Sequence, residues 1–340
     1  MPLLRTDDPQ ALEQAARLLA QGELLAFPTE TVYGLGARAD DDAAVTRIFA
    51  AKGRPADHPL IVHVTDATAA QPFAAHWPAA AQVLAQHFWP GPMTLIVPRR
   101  PGVATASAGG HSSIGLRCPD HPLGQALLRR ARDLGVLGVA GPSANRFGRV
   151  SPTTAAHVLD EFGPELAVLD GGPCREGIES TIVDCTRPEP ALLRPGTTRR
   201  ADIEAVLQRS LGLRLGGRDE ASPRVSGSLA SHYAPAAVVT LLSAQELRDR
   251  LRAESPVQHA NEAAGPARRP VGVYSRTRLP IARGTIHQAM PDDPAQAAHE
   301  LFARLRNLDA QGVGQIWVER PPETPDWDGV RDRLTRAATR

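Results

Sequence analysis

Residue types that handle anions gather in a few short stretches of this chain. Lys52-Gly53-Arg54-Pro55 places two cations around a glycine, and Lys52 is the single lysine among 38 lysines and arginines. An ammonium is a compact, strongly hydrated charge, whereas a guanidinium is a planar fork. Lys52 is therefore either a chance survivor of an arginine-biased composition or a residue kept for its compact charge at a polyanion site. In an extended segment Lys52 and Arg54 would point to one side, as two phosphates of a nucleotide require. Thr29 to Gly36 carries hydroxyls and glycines directly after a strand. They could donate to a ligand or cap their own turn. His58 and His63 lack a third donor at ligand spacing, so no metal site is expected.

Further along, Gly141-Pro142-Ser143-Ala144-Asn145 ends an apolar strand, and Ser151-Pro152 reads as a helix start with serine as cap. Helix starts also bind anions, so Ser151 keeps both readings. Gly177 to Thr181 and Arg194-Pro195-Gly196 add a hydroxyl pair and another arginine. The chain has no P-loop, no G-x-G-x-x-G after a strand and no G-x-S-x-G elbow. Scattered cations with Ser, Thr and Asn, and no obvious nucleophile, suit a site that positions reactants and stabilises charge.

The elements that must hold these residues alternate. Strands are expected at Glu23–Phe27, Leu60–Val64, Met93–Pro98, Ser113–Arg117, Val136–Ala140, Leu166–Leu169, Thr181–Asp184 and Ala191–Leu193. Helices are expected from Asp8-Pro9, and at Asp42–Ala51, Ala79–His87, Leu123–Leu134, Thr153–Glu161 and Arg200–Ser210. This is an α/β layer architecture of undetermined strand direction. Residues 212–231 turn rich in Gly, Arg and Ser, and read as a linker. Beyond them, strands at Val238–Leu242, Pro270–Tyr274 and Gln315–Glu319 alternate with helices at Ala244–Arg252, Ala295–Leu308 and Trp327–Ala337, a small parallel-sheet domain, with Pro256 to Arg269 as a loop.

At 340 residues, 42% hydrophobic and 22% charged, the chain suits two globular domains. A net charge of +1 argues against a protein that coats nucleic acid, and 4% aromatics argue against a stacking platform for single strands. Cys118, Cys174 and Cys185 are odd in number without paired spacing, so free thiols are expected. The N-terminal residues lack an apolar signal core, and no run reaches the roughly 20 apolar residues of a membrane span, so a cytoplasmic protein is expected.

Eight blocks, in order over residues 5–210, resemble the YrdC-type threonylcarbamoyl-AMP synthases. They are Pro28-Thr29-Glu30-Thr31-Val32-Tyr33-Gly34-Leu35-Gly36, Lys52-Gly53-Arg54-Pro55, His58-Pro59-Leu60, Trp89-Pro90-Gly91-Pro92-Met93-Thr94, Leu116-Arg117-Cys118-Pro119, Pro142-Ser143-Ala144-Asn145, Glu179-Ser180-Thr181 and Leu193-Arg194-Pro195-Gly196. His232-Tyr233-Ala234-Pro235 is similar to the hallmark of the longer, two-domain form. The resemblance implies a twisted mixed-sheet catalytic domain over 1–211, a linker over 212–236 acting as an active-site lid, and a Rossmann-like parallel α/β accessory domain over 237–340. It implies that L-threonine, bicarbonate and ATP, with Mg²⁺, give threonylcarbamoyl-AMP and pyrophosphate. A partner transferase would then modify tRNAs that read ANN codons, with tRNA binding here weak or indirect.

The same resemblance carries Lys52 and Arg54 over as catalytic residues. Thr31, His63, Arg117, Gly141 and Ser180 would hold threonine, with Arg117 on its carboxylate. Lys52, Arg54, His58, Ser113, Ser143, Asn145, Ser151, Arg194 and Tyr233 would bind ATP, with Tyr233 closing over the nucleotide. Position 58 is commonly Asn in this family and position 141 often Ala, and residues 223–229 lack a Pro-Gly-Met block of some relatives. An enzyme making another carbamoyl-adenylate would carry an acylphosphatase-like segment and paired-Cys fingers, which are absent from the sequence. A YrdC-like RNA-binding module would be expected to be more basic.

Overall fold

The computed structural model describes residues 3–5, 7–215, 223, 225, 232–253, 269–280 and 284–339. The chain divides into two compact units, one of Met1–Phe147 with Ser151–Leu229 and one of Gly148–Val150 with Ala230–Arg340.

In the first unit the strands are β1 (Leu3–Leu4), β2 (Leu25–Phe27), β3 (Gly34–Arg38), β4 (Ile61–His63), β5 (Met93–Pro98), β6 (Ser113–Arg117), β7 (Val139–Ala140), β8 (Ala167–Leu169), β9 (Thr181–Asp184), β10 (Ala191–Arg194) and β11 (Gly212–Leu213). They form one mixed sheet in the order β1-β8-β2-β3-β7-β4-β6-β5-β9-β10-β11. Helices α1 (Ala11–Ala20), α2 (Asp42–Lys52), α3 (Ala67–Ala70), α4 (Ala79–Phe88), α5 (Pro122–Asp133), α6 (Ala155–Phe162) and α7 (Arg200–Leu207) complete it. Leu35, Leu95, Leu116 and Val183 lie in its buried core.

Most expected elements are present with ends moved by one to three residues. Strand β3 is not among the expected elements, because glycines at 34 and 36 read as a loop. Phe27 pairs with Gly34, and Leu25 with Gly36, across antiparallel β2 and β3. A Cβ on Gly34 would fall 2.9 Å from the Phe27 ring, and one on Gly36 3.0 Å away. The strand is glycine-rich because an aromatic ring lies across it. Helix α1 starts after Gln10, with the Asp8 carboxylate accepting from the Gln10 amide at 2.9 Å, so Asp8-Pro9 precedes the helix. Of the expected linker, Gly212–Leu213 is an edge strand parallel to β10. Residues 216–222, 224 and 226–231 lie outside the described residues, as do 256–268 of the expected loop.

The second unit holds β12 (Val238–Leu242), α8 (Ala244–Ala253), β13 (Val271–Ser275), β14 (Thr285–Ala289), α9 (Pro294–Ala310), β15 (Gln315–Glu319) and α10 (Asp328–Ala338). The four strands run in the order β12-β15-β13-β14, all parallel. Helix α9 begins as its sequence dictates, with the Asp293 carboxylate accepting from the Gln296 amide at 2.8 Å and Pro294 following. Strand β14 is absent from the expected elements. Its Thr-Ile-His-Gln-Ala has no apolar alternation, and its side chains stay half-exposed at the sheet edge. Among the described residues, no helix is long and apolar enough to cross a membrane.

Candidate active site

Three strands bring the first group of predicted residues into one row. Parallel β4 and β6 end at His63 and Arg117, which are paired in register. Antiparallel β5 places Thr94 opposite Arg117. Residues in register across a sheet share a face, so His63, Arg117 and Thr94 stand side by side. The Thr94 and Ser180 hydroxyls are 2.8 Å apart. Gly141 borders the imidazole: a Cβ there would lie 3.0 Å from His63 Nδ1 and 2.9 Å from the Phe27 ring. The Phe27 ring meets His63 edge-on, with centroids 5.5 Å apart. Glycines 34, 36 and 141 thus leave room for the phenyl ring that braces the histidine.

The turn from Thr29 to Val32 is self-capped and also contributes to the site. Thr29 Oγ1 donates to the Val32 carbonyl at 2.6 Å and accepts from the Thr31 and Val32 amides. The Thr31 hydroxyl lies 2.9 Å from the same oxygen. The next carboxylate, Glu30, is 1% exposed and lies 2.8 Å from Nη2 of Arg117, itself 4% exposed. Burial, and then the charge of Arg117, push the His63 imidazole down to about 3, so it is neutral at ordinary pH.

The second group surrounds the end of α2. Lys52 is the last helical residue, and Gly53 stops the helix in a left-handed conformation with φ of 64°. The segment is therefore not extended, and Lys52 and Arg54 do different things. Lys52 is 3% exposed and donates to the Ser143 carbonyl at 2.6 Å and to the Asn145 carbonyl. Burial first, and Arg54 second, hold its ammonium well below the usual lysine value. Arg54 donates to the Pro59 carbonyl at 3.0 Å and sits over the Phe147 ring at 5.6 Å. The His58 ring abuts the same phenyl at 5.5 Å.

Ser151 does not cap a helix. Thr154 caps α6, and the Ser151 hydroxyl donates to the Glu179 carboxylate. Arg194 donates to the Ser180 carbonyl through Nε at 3.1 Å and Nη2 at 2.9 Å, and to the Ser180 hydroxyl at 3.2 Å. The chain Ser151–Glu179–Ser180–Arg194 thus meets the row through Thr94. Ser113 opens β6, opposite Pro98 and half-buried. Tyr233 belongs to the second unit, where its ring stacks on Phe302 at 5.4 Å and Arg333 covers it at 5.4 Å.

Glu30, Thr94, Phe147 and Glu179 carry contacts here without having been singled out as site residues. Three of them lie inside quoted blocks, but only the partners across the fold show what they do. Cys118, Cys174 and Cys185 are buried free thiols.

The arrangement offers a buried cation on a strand end, neutral hydroxyls and the further buried arginines Arg54 and Arg194, but no activated nucleophile. A family model described as telomere recombination (Sua5/YciO/YrdC) matches residues 17–196. A second, described as the threonylcarbamoyl-AMP synthase C-terminal domain, matches residues 198–339. The chain belongs to the threonylcarbamoyl-AMP synthase family, in its long two-domain form. The Bacillus subtilis threonylcarbamoyl-AMP synthase is 37% identical over 98% of this chain and 94% of its own length. That of Pyrococcus abyssi is 36% identical over 95% of this chain and 93% of its own length. A crystal structure of Pyrococcus abyssi Sua5 complexed with L-threonine superposes with a TM-score of 0.86 at 34% identity, covering 98% of this chain and 96% of that one. The enzyme is thus a nucleotidyltransferase.

Proposed function

We propose that the enzyme joins L-threonine, bicarbonate and ATP into threonylcarbamoyl-AMP and pyrophosphate, with threonine held in the row of His63, Arg117 and Thr94. The observation that carries this reading is Arg117, a buried guanidinium on a strand end whose Nε and Nη2 have no hydrogen-bond partner. Such donors suit a carboxylate, which accepts a planar fork in two parallel bonds. Gly141 borders His63 and the Ser180 hydroxyl meets Thr94, so both adjoin this row, and Thr31 would add its hydroxyl from the turn that carries Glu30. Neutral His63 adds a ring nitrogen without adding a charge.

The carbamate formed on threonine must then attack the α-phosphate while pyrophosphate leaves. Lys52 holds the Ser143 and Asn145 carbonyls, and so shapes the 143–147 loop on which the nucleotide would rest. Arg54 and Arg194 supply the charge that phosphates need, with His58, Ser113 and Ser151 as neutral donors. Among the described residues, no three His, Cys, Asp or Glu side chains converge as a protein-held metal requires. Mg²⁺ would enter as the counter-ion of ATP, and no residue of the chain is assigned to it. The product is a mixed anhydride and would pass to a transferase that acts on ANN-reading tRNAs in the cytoplasm.

Pyrophosphate release from ATP, with threonine and bicarbonate each omitted in turn, tests the reaction. Release that needs both supports it, whereas release indifferent to threonine would assign the chain another carbamoyl-adenylate.

A further inference from the structure

The ion pair between Glu30 and Arg117 is unusual in what it leaves unmade. The closest atoms are 2.8 Å apart, yet both Glu30 oxygens, and Nε and Nη2 of Arg117, lack any hydrogen bond. The contact is ionic and lies off the N–H axes. His63 Nδ1, beside Arg117 on the same face, is likewise without a partner. Buried polar atoms in native proteins are almost always satisfied, and leaving one unmet costs on the order of 1–3 kcal/mol. Five such atoms on three adjoining residues, all closed to water, would be satisfied by a ligand that enters between them.

The charges define that occupant. A guanidinium alone would suit any carboxylate. A guanidinium beside a carboxylate, both out of water, is neutral as a pair and suits a ligand that is itself neutral as a pair. An α-amino acid zwitterion meets that demand, with its carboxylate toward Arg117 and its ammonium toward Glu30. A lone anion would leave the Glu30 charge unpaired and repelled, and neutral His63 supplies no second cation to compensate.

We propose that Glu30 is the specificity residue that receives the ammonium of threonine, completing a zwitterion receptor with Arg117. This rests on the threonine reading given above. It adds that selection for an α-amino acid, over a hydroxy acid of the same shape, is made at position 30. Glu30 touches substrate in this assignment and does more than hold Arg117 in place.

Calorimetric binding of L-threonine and of 3-hydroxybutanoate, which is threonine without its amino group, tests the assignment. The protein with Glu30 intact should favour threonine by at least about tenfold, the worth of a hydrogen bond to a charged group. Glu30→Gln should bring the two ligands within about threefold of each other, chiefly by weakening threonine, while ATP binding persists as proof of fold. Equal weakening of both ligands would show that Glu30 acts only by holding Arg117, and would overturn the proposal. Should Glu30→Gln not fold, the unaltered protein decides: 3-hydroxybutanoate bound as tightly as threonine would overturn the proposal, and binding weaker by about tenfold or more would support it. A folded, ATP-binding protein that ignores threonine altogether would instead remove the threonine reading, and this assignment with it.

Discussion

The Lys52 ammonium and the Ser143 carbonyl oxygen lie 2.6 Å apart, joining residues 91 positions distant in sequence. The same ammonium reaches the Asn145 carbonyl, and the Phe147 amide returns a bond of 2.8 Å to the Lys52 carbonyl. Helix α2 and the 143–147 loop are thus pinned from both sides.

For Lys52 the consequence is structural, and under the proposed function it reaches the reaction as well. Lys52→Ala leaves two buried carbonyls without their donor, which costs about 2 kcal/mol or more. Thermal unfolding should therefore fall by several degrees together with pyrophosphate release. Lys52→Arg should also fail, because a planar fork does not fit the space of a compact ammonium. An unchanged melting temperature in the alanine variant would remove the clamp.

Arg117 is paired with Glu30 in the interior, and the threonine reading gives it a ligand as well. Arg117→Ala strands the Glu30 carboxylate in the interior, at about 3–5 kcal/mol. The threonine requirement should rise far more than the ATP requirement. Combining Arg117→Met with Glu30→Gln should restore part of the stability but none of the threonine binding. Strictly additive losses in denaturant melts would contradict the pairing.

Arg194 cannot act on ATP alone. Its guanidinium braces Ser180 through both carbonyl and hydroxyl. Arg194→Ala should raise the KM for threonine as well as for ATP, each by severalfold. Steady-state kinetics with an unchanged threonine KM would detach Ser180 from the threonine site.

His63 makes the fold sensitive to acid. Its folded value of about 3 lies below the ordinary 6.5, so between these the unfolded chain binds a proton that the folded chain does not. Stability is complete above pH 6.5 and falls with acidification toward 3, by about 1.4 kcal/mol per pH unit from this group. His63→Gln should flatten the melting profile over that window. Superimposable profiles for the two proteins would show that the imidazole is charged when folded.

The sequence by itself determined the family, the α/β class and most elements, because ordered motif blocks and apolar periodicity are local properties. It named Arg117, His63, Ser180 and Arg194 for the same reason. Three readings failed where a local rule met a distant partner. Ser151 looks like a cap until Glu179 takes its hydroxyl, and Lys52 looks like the partner of Arg54 on an extended segment until it ends a helix and binds two carbonyls 91 and 93 residues away. Gly34 and Gly36 look like a loop until Phe27 lies across them. Only the tertiary structure set Glu30 against Arg117 and left both short of hydrogen bonds. The partner of a buried charge is chosen by which strand ends meet, and strand pairing across the sheet is not written in any single segment.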